Sequence, residues 1–179
     1  SDFYSEGIFC AVKYDKAKQH DVFLFINNKG IAITSETFDD YKLFSEGLAA
    51  VRKDGKAGYI DKQGQVVIDY QFATAGSFHE GFAPVWRNGR KGHVDFINKE
   101  GKIVFETEFD FSTGFSGGLA MVKILKDKNL YGFINKEGKL VINTQYDDAK
   151  DFSDGLAPVA RNGKWGYVNT EGRVIADFQ

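Results

Sequence analysis

Short apolar runs such as Val66-Val67-Ile68, Ile103-Val104-Phe105 and Leu140-Val141-Ile142 alternate along the chain with polar segments that end in glycine. Bounded runs of this kind predict strands joined by tight turns, not amphipathic helices. The runs are also periodic. A phrase of the form aromatic-Ser-x-Gly-apolar, followed by Ala-x-Val, opens at Tyr4, Phe44, Phe78, Phe115 and Phe152, at spacings of 40, 34, 37 and 37 residues. A second phrase, an aromatic followed by a β-branched residue and Asn or Asp, recurs at Phe25-Ile26-Asn27, Tyr59-Ile60-Asp61, Phe96-Ile97-Asn98, Phe133-Ile134-Asn135 and Tyr167-Val168-Asn169. Three residues after each Asn or Asp stands a glycine (Gly30, Gly64, Gly101, Gly138, Gly172), which reads as a hairpin turn with positive φ at the glycine. A turn side chain bonded to its own backbone accounts for these Asn and Asp residues better than a cation site does.

The expected fold is therefore all-β: one domain over residues 1–179, a tandem array of five repeats of roughly 37 residues at 4–43, 44–77, 78–114, 115–151 and 152–179. Each repeat holds three strands and an aromatic connector. A unit this small cannot cover both of its faces, so it must stack on its neighbours. The opening aromatics Phe44, Phe78, Phe115 and Phe152, with the connector aromatics Phe38, Phe72, Phe109 and Tyr146, are the expected inter-repeat core. The separation from turn glycine to the next opening aromatic is 14 residues in all four cases, the mark of a packed connection. Length varies instead between the first-strand valine (Val12, Val51, Val85, Val122, Val159) and the turn glycine, in the first hairpin loop. One extra residue between Gly7 and Val12 suggests a bulge in the first repeat. An open, solenoid-like stack is preferred; the alternative is a closed five-bladed propeller.

The fifth repeat contains Gly163-Lys164-Trp165-Gly166-Tyr167-Val168-Asn169, and with this phrase, between Leu156-Ala157-Pro158-Val159 and a closing Asn-x-x-Gly turn, the chain resembles the bacterial WG-containing (KWG) repeat family. The Trp-Gly pair is degenerate elsewhere: Ala57-Gly58 and Tyr131-Gly132 keep the glycine, whereas the first and third repeats carry Phe23-Leu24 and Val94-Asp95. The resemblance implies a bacterial repeat array, often at the cell surface or secreted, with no catalytic residues assigned to the repeat.

Composition adds that 17 Phe, 8 Tyr and 20 Gly against two Pro and one Met favour strands and glycine turns. No apolar run reaches the length of a membrane span, and Ser1-Asp2-Phe3-Tyr4 has no signal-peptide character. The single cysteine, Cys10, lies in the first strand, where packing outweighs nucleophilic chemistry as its expected role. His20, His79 and His93 fall at unrelated places in the repeat, so no metal spacing is present, and no cofactor motif occurs. The acid pairs Asp39-Asp40 and Asp147-Asp148 read as solvated connector charges; a glycosidase-like enzyme built on them is the remote alternative, because adjacent strand residues point to opposite faces.

Charge changes the picture most. The five hairpin loops, 13–21, 52–56, 87–93, 123–129 and 161–164, hold fourteen basic residues and four acids, about +10 in a chain whose net charge is -2. Stacked in register, they predict a basic rim, with an acidic border opposite formed by connector residues such as Glu36, Asp39, Glu46, Glu106, Glu108, Asp147, Asp151 and Asp154. Trp86 falls just after the first-strand valine and is expected at the rim, as an anchor for a sugar ring, a peptide or another subunit or, equally, as a packed strand end. The candidate partner-binding residues are Trp86, Arg87, Arg90, Lys91, Lys53, Lys56, Lys126, Lys128, Arg161 and Lys164. The expected function is a non-catalytic scaffold that binds a protein or an anionic envelope polymer through this edge; a structural spacer or self-associating stalk is the alternative. Nucleic acid is disfavoured by a pI near 5.9.

Overall fold

The residue before the glycine in each opening phrase, and the glycine itself, both adopt positive φ: 54° at Glu46 and 88° at Gly47, 53° at Glu80 and 88° at Gly81. Two successive residues of this kind make the tight turn that suits the twist of a hairpin, so the opening phrase joins two strands. The computed structural model describes residues 3–89, 92–125 and 129–179. The strand before each opening turn is the connector from the preceding repeat. The three strands expected in each repeat form in the second to fifth, where the connector adds a further strand or extends one; in the first, the segment after Gly30 makes only an isolated bridge, Ile26 to Ala32.

The first repeat contains β1 (Tyr4–Ser5), β2 (Ile8–Asp15) and β3 (His20–Asn27). The second contains β4 (Asp40–Tyr41), β5 (Leu48–Lys53), β6 (Lys56–Asp61) and β7 (Val66–Ala75), and the third adds β8 (Ala83–Arg87), β9 (Val94–Ile97) and β10 (Ile103–Glu106). The fourth has β11 (Phe111–Ser116), β12 (Leu119–Ile124), β13 (Leu130–Ile134) and β14 (Leu140–Tyr146); the fifth has β15 (Asp148–Ala149), β16 (Leu156–Arg161), β17 (Lys164–Asn169) and β18 (Val174–Ala176). Each repeat is an antiparallel meander in chain order. The long β7 pairs first with β6 and then with β8, merging repeats 2 and 3 into one seven-stranded sheet. Among the described residues no sheet joins the first repeat to the fifth, and the array is open.

Pairing corrects one expectation. Ala11 lies opposite Leu24 just as Val51 lies opposite Gly58, so Ala11, not Val12, matches the first-strand valine, and β2 pairs with β3 without a break. The supposed bulge in the first repeat is absent.

The turn glycines Gly30, Gly64, Gly101, Gly138 and Gly172 all have φ between 74° and 78°. The Asn or Asp three residues earlier accepts backbone N–H bonds inside its own turn, as Asn27 does from Lys29 and Ile31 and Asn169 does from Glu171 and Arg173. The glycine of the Trp-Gly phrase has a different origin. A Cβ on Gly58, Gly132 or Gly166 would lie 2.6, 2.5 or 2.7 Å from the carbonyl oxygen of Ile68, Ile142 or Ala176, because the third strand crosses directly over the second there.

The core is divided among the four junctions between repeats. Ile8, Cys10 and Phe25 of repeat 1 meet Phe38, Phe44, Ala49, Val51 and Ile60; Tyr59 and Ile68 meet Phe72, Phe78, Ala83, Val85 and Ile97. Val94 and Phe96 meet Phe115, Ala120, Val122 and Ile134; Met121 and Phe133 meet Tyr146, Phe152, Ala157, Val159 and Val168. The aromatics predicted for the core are thus in it, on the hydrophobic argument that a repeat covers one face with its successor.

Polar bonds lock the same junctions. The opening-phrase serine donates to the carbonyl of the next opening aromatic, from Ser5 to Phe44, Ser45 to Phe78 and Ser116 to Phe152, each at 2.6 Å. The following glutamate accepts the N–H of the next repeat's turn glycine and pairs with a lysine there: Glu6 with Gly47 and Lys62, Glu46 with Gly81 and Lys99, Glu80 with Gly118 and Lys136. Where the glutamate is replaced by Gly117, the lysine place holds Thr170. Because the opening turns are fixed to one another along one border, the first hairpins, at the far ends of the same strands, line up along the opposite border.

Candidate functional site

That opposite border carries the candidate residues, but its acids sit among its bases. The residue after the connector aromatic is aspartate in three repeats, and each accepts a backbone N–H from the tip of the neighbouring hairpin: Asp39 from Asp54 at 2.9 Å, Asp110 from Leu125 at 2.7 Å and Asp147 from Asn162. Asp39 also pairs with Lys18 at 2.6 Å, and Glu36 with Lys53 at 2.8 Å. The Lys18 hydrogen bond holds the Asp39 carboxyl below the usual aspartate range, and Glu36 raises the Lys53 ammonium. The expected division into a basic rim and a separate acidic border therefore fails for Glu36, Asp39, Glu106 and Asp147, which fold back onto the basic loops. Glu46 sits at the opening turns instead. Asp40 and Asp148 accept the next N–H of their own chain, from Tyr41 and Ala149, whereas Asp39 and Asp147 accept from the neighbouring hairpins.

Arg87 is committed to structure. Its Nε lies 2.6 Å from Asp95 and its Nη2 2.5 Å from Glu106, and both carboxylates, Glu106 foremost, raise the guanidinium pKa. Asp95 replaces the glycine of the Trp-Gly phrase and is completely buried. Trp86 is not the free rim anchor the sequence suggests: it is half-buried, its Nε1 donates to the Asp110 carbonyl at 3.1 Å, and its ring packs beside Phe111 on the repeat 3–4 core. Arg161 donates to Gln145 and lies over the rings of Tyr146 and Phe178. Lys56 and Lys164 are exposed and make no ion pair among the described residues. Arg90, Lys91, Lys126 and Lys128 lie outside the described residues. Hairpin alignment thus brings Lys53, Lys56, Arg161 and Lys164 to one border. The partnering of Lys53, Arg87 and Arg161 escaped sequence reasoning, although the recurring Asp after the connector aromatic was a visible signal.

No curated protein matches the chain. Among solved structures it is similar to KlHsv2 with loop 6CD replaced by a Gly-Ser linker (12% identity, TM-score 0.57, covering 94% of this chain and 61% of that one). It is also similar to Hsv2 from Kluyvelomyces marxianus (14% identity, TM-score 0.56, covering 93% and 57%) and to the tricorn protease (13% identity, TM-score 0.51, covering 87% and 20%). The chain spans about three fifths of the length of the two Hsv2 structures. These are propeller-like chains, and at such identity the likeness is one of fold alone. The WG-containing repeat matches residues 25–56, 58–90, 96–128, 131–165 and 165–179. Its first four matches start in or beside the second strand of one repeat and end in or beside the first hairpin of the next, so the matched unit contains a junction. With five tandem matches over most of its length, the chain belongs to the WG-containing repeat family.

Proposed function

We propose that this repeat scaffold is non-catalytic and binds an anionic partner, an acidic protein or a cell-envelope polymer, through its hairpin border. The observation that carries this reading is that Lys56 and Lys164, each at the end of a first hairpin, are exposed and without ion pairs among the described residues. A basic border of this kind speeds encounter with anions and is weakened by salt. Lys56 and Lys164, unlike Arg87, can be reversed without stripping a buried acid. The Lys56→Glu/Lys164→Glu protein should elute from immobilised heparin, and from immobilised polyglutamate, at lower salt than the parent. Identical elution, or retention of the parent that does not depend on salt, overturns the reading.

A further inference from the structure

Residues that break the repeat pattern gather at one place. Where Ser5, Ser45, Ser116 and Ser153 stand in other repeats, the third carries His79; where Arg52, Lys123 and Ala160 pair with the connector strand, it carries Trp86. Where Lys42 and Lys150 donate their N–H to the first strand, it has Gly76, donating to Pro84 at 2.8 Å. In the fourth repeat, the place held by Asp40, Thr74 and Asp148 is taken by Phe111, 39% exposed. Stacking alone does not ask for these changes. His79 gives up the serine bond that locks other junctions, and its ring lies against Gly114, whose φ is +107° and whose Cβ would meet His79 Cδ2 at 3.4 Å.

All four residues line one cleft where the connector strands of repeats 2, 3 and 4 converge. Pro84, itself buried, lies at its floor close under Gly76, where a Cβ would meet Pro84 Cγ at 2.7 Å. Trp86 and Phe111 stand together, ring centroids 6.3 Å apart and planes 37° from parallel. Since the indole N–H already bonds Asp110, Trp86 offers a ligand only its ring. Thr74, Ser77 and His79 supply hydrogen-bonding groups around the rings, while the Thr113 hydroxyl donates to the Asp151 carboxylate just outside the lining. Lys42 is the one cation in the lining, which holds no carboxylate, and it makes no ion pair among the described residues.

We propose that this cleft binds a carboxylate-bearing saccharide. A sugar ring presents apolar C–H faces to aromatic side chains and hydroxyls to the Ser, Thr and His groups around them. A lysine with no acid beside it in the lining favours a carboxylate on that sugar. The inference rests on the chain being a binding scaffold, and is independent of the hairpin border.

The test uses the full chain with Trp165→Phe, leaving Trp86 as its only tryptophan. Tetragalacturonate should change Trp86 emission saturably, and cellotetraose should bind about ten-fold more weakly, the effect of losing one charge-assisted contact. Phe111→Asp, which installs the residue found at Asp40 and Asp148, and Lys42→Glu should each weaken tetragalacturonate by about ten-fold or more while circular dichroism stays unchanged. Absence of a saturable response, retention of affinity in both variants, or equal binding of hexaglutamate overturns the proposal. Lys56→Glu/Lys164→Glu, titrated in parallel, should keep the tetragalacturonate response while losing heparin retention, so each site fails or stands alone.

Discussion

Arg87 Nε lies 2.6 Å from Oδ2 of Asp95, a carboxylate that stands where three other repeats carry a glycine under the third strand. Thr107 N also reaches Asp95 Oδ1, at 3.4 Å. Removing the guanidinium takes the ion-pair partner at Oδ2 from a buried carboxylate, which costs about 3 kcal/mol. Arg87→Met should lower the urea midpoint accordingly, and adding Asp95→Gly should recover most of the loss. Equal midpoints for parent and Arg87→Met would show the pairing to be idle.

The serine latch makes two opposite expectations. Ser45→Ala removes the bond to the Phe78 carbonyl and should cost about 1 kcal/mol, while His79→Ser should supply the missing bond at the third junction and stabilise by a comparable amount. Chemical denaturation of both variants checks the pair, with opposite signs as the result to look for.

Glycines of equal composition should differ in cost. Gly132→Ala places a Cβ 2.5 Å from the Ile142 carbonyl oxygen, a backbone clash expected to cost about 1–3 kcal/mol. Gly155, at φ +78° with open space around it, should lose about 1–2 kcal/mol at most to Ala, the strain of the left-handed region alone. Thermal melts should rank Gly132→Ala the lower of the two.

Acid should loosen the glutamate ladder. Burial acts to raise the Glu6 and Glu80 carboxyls, but bonds from Lys62 and Gly47, and from Lys136 and Gly118, outweigh it and hold both below the ordinary value of 4.5. A depressed carboxyl contributes stability that is full above its unfolded value and is lost as pH falls through the folded one. Glu80→Gln should therefore be less stable than the parent at neutral pH, with the gap closing below about pH 4. Urea midpoints across that range measure it; a gap that persists in strong acid contradicts the assignment.

The array and its all-β character were legible in the sequence because their causes are local. Glycine at positive φ, Asn27 or Asn169 bonding its own turn, and apolar runs of strand length act within a few residues, and they recur five times. The core followed, since a unit of this size has no partner for Phe44 or Phe78 other than the next unit. Among the candidate site residues, Lys56 and Lys164 kept the exposed position expected of them.

The remainder was decided by stacking. The connector became a fourth strand because Asp40 and Tyr41 meet Arg52 and Val51 across the opening turn, a pairing that two polar-flanked residues do not announce. Asp95 is buried inside the sheet, opposite Glu106 of the third strand, and Arg87 was drawn in to neutralise it. Glu36 and Asp39 reached the basic loops because each connector is folded beside the hairpin that follows it. Gly76, His79, Trp86 and Phe111 belong to two repeats and are up to 35 residues apart in sequence, yet line one cleft. Periodic local chemistry specifies which units form; which side chains end up facing one another depends on how one unit lies against the next, and that is a property of the packed array.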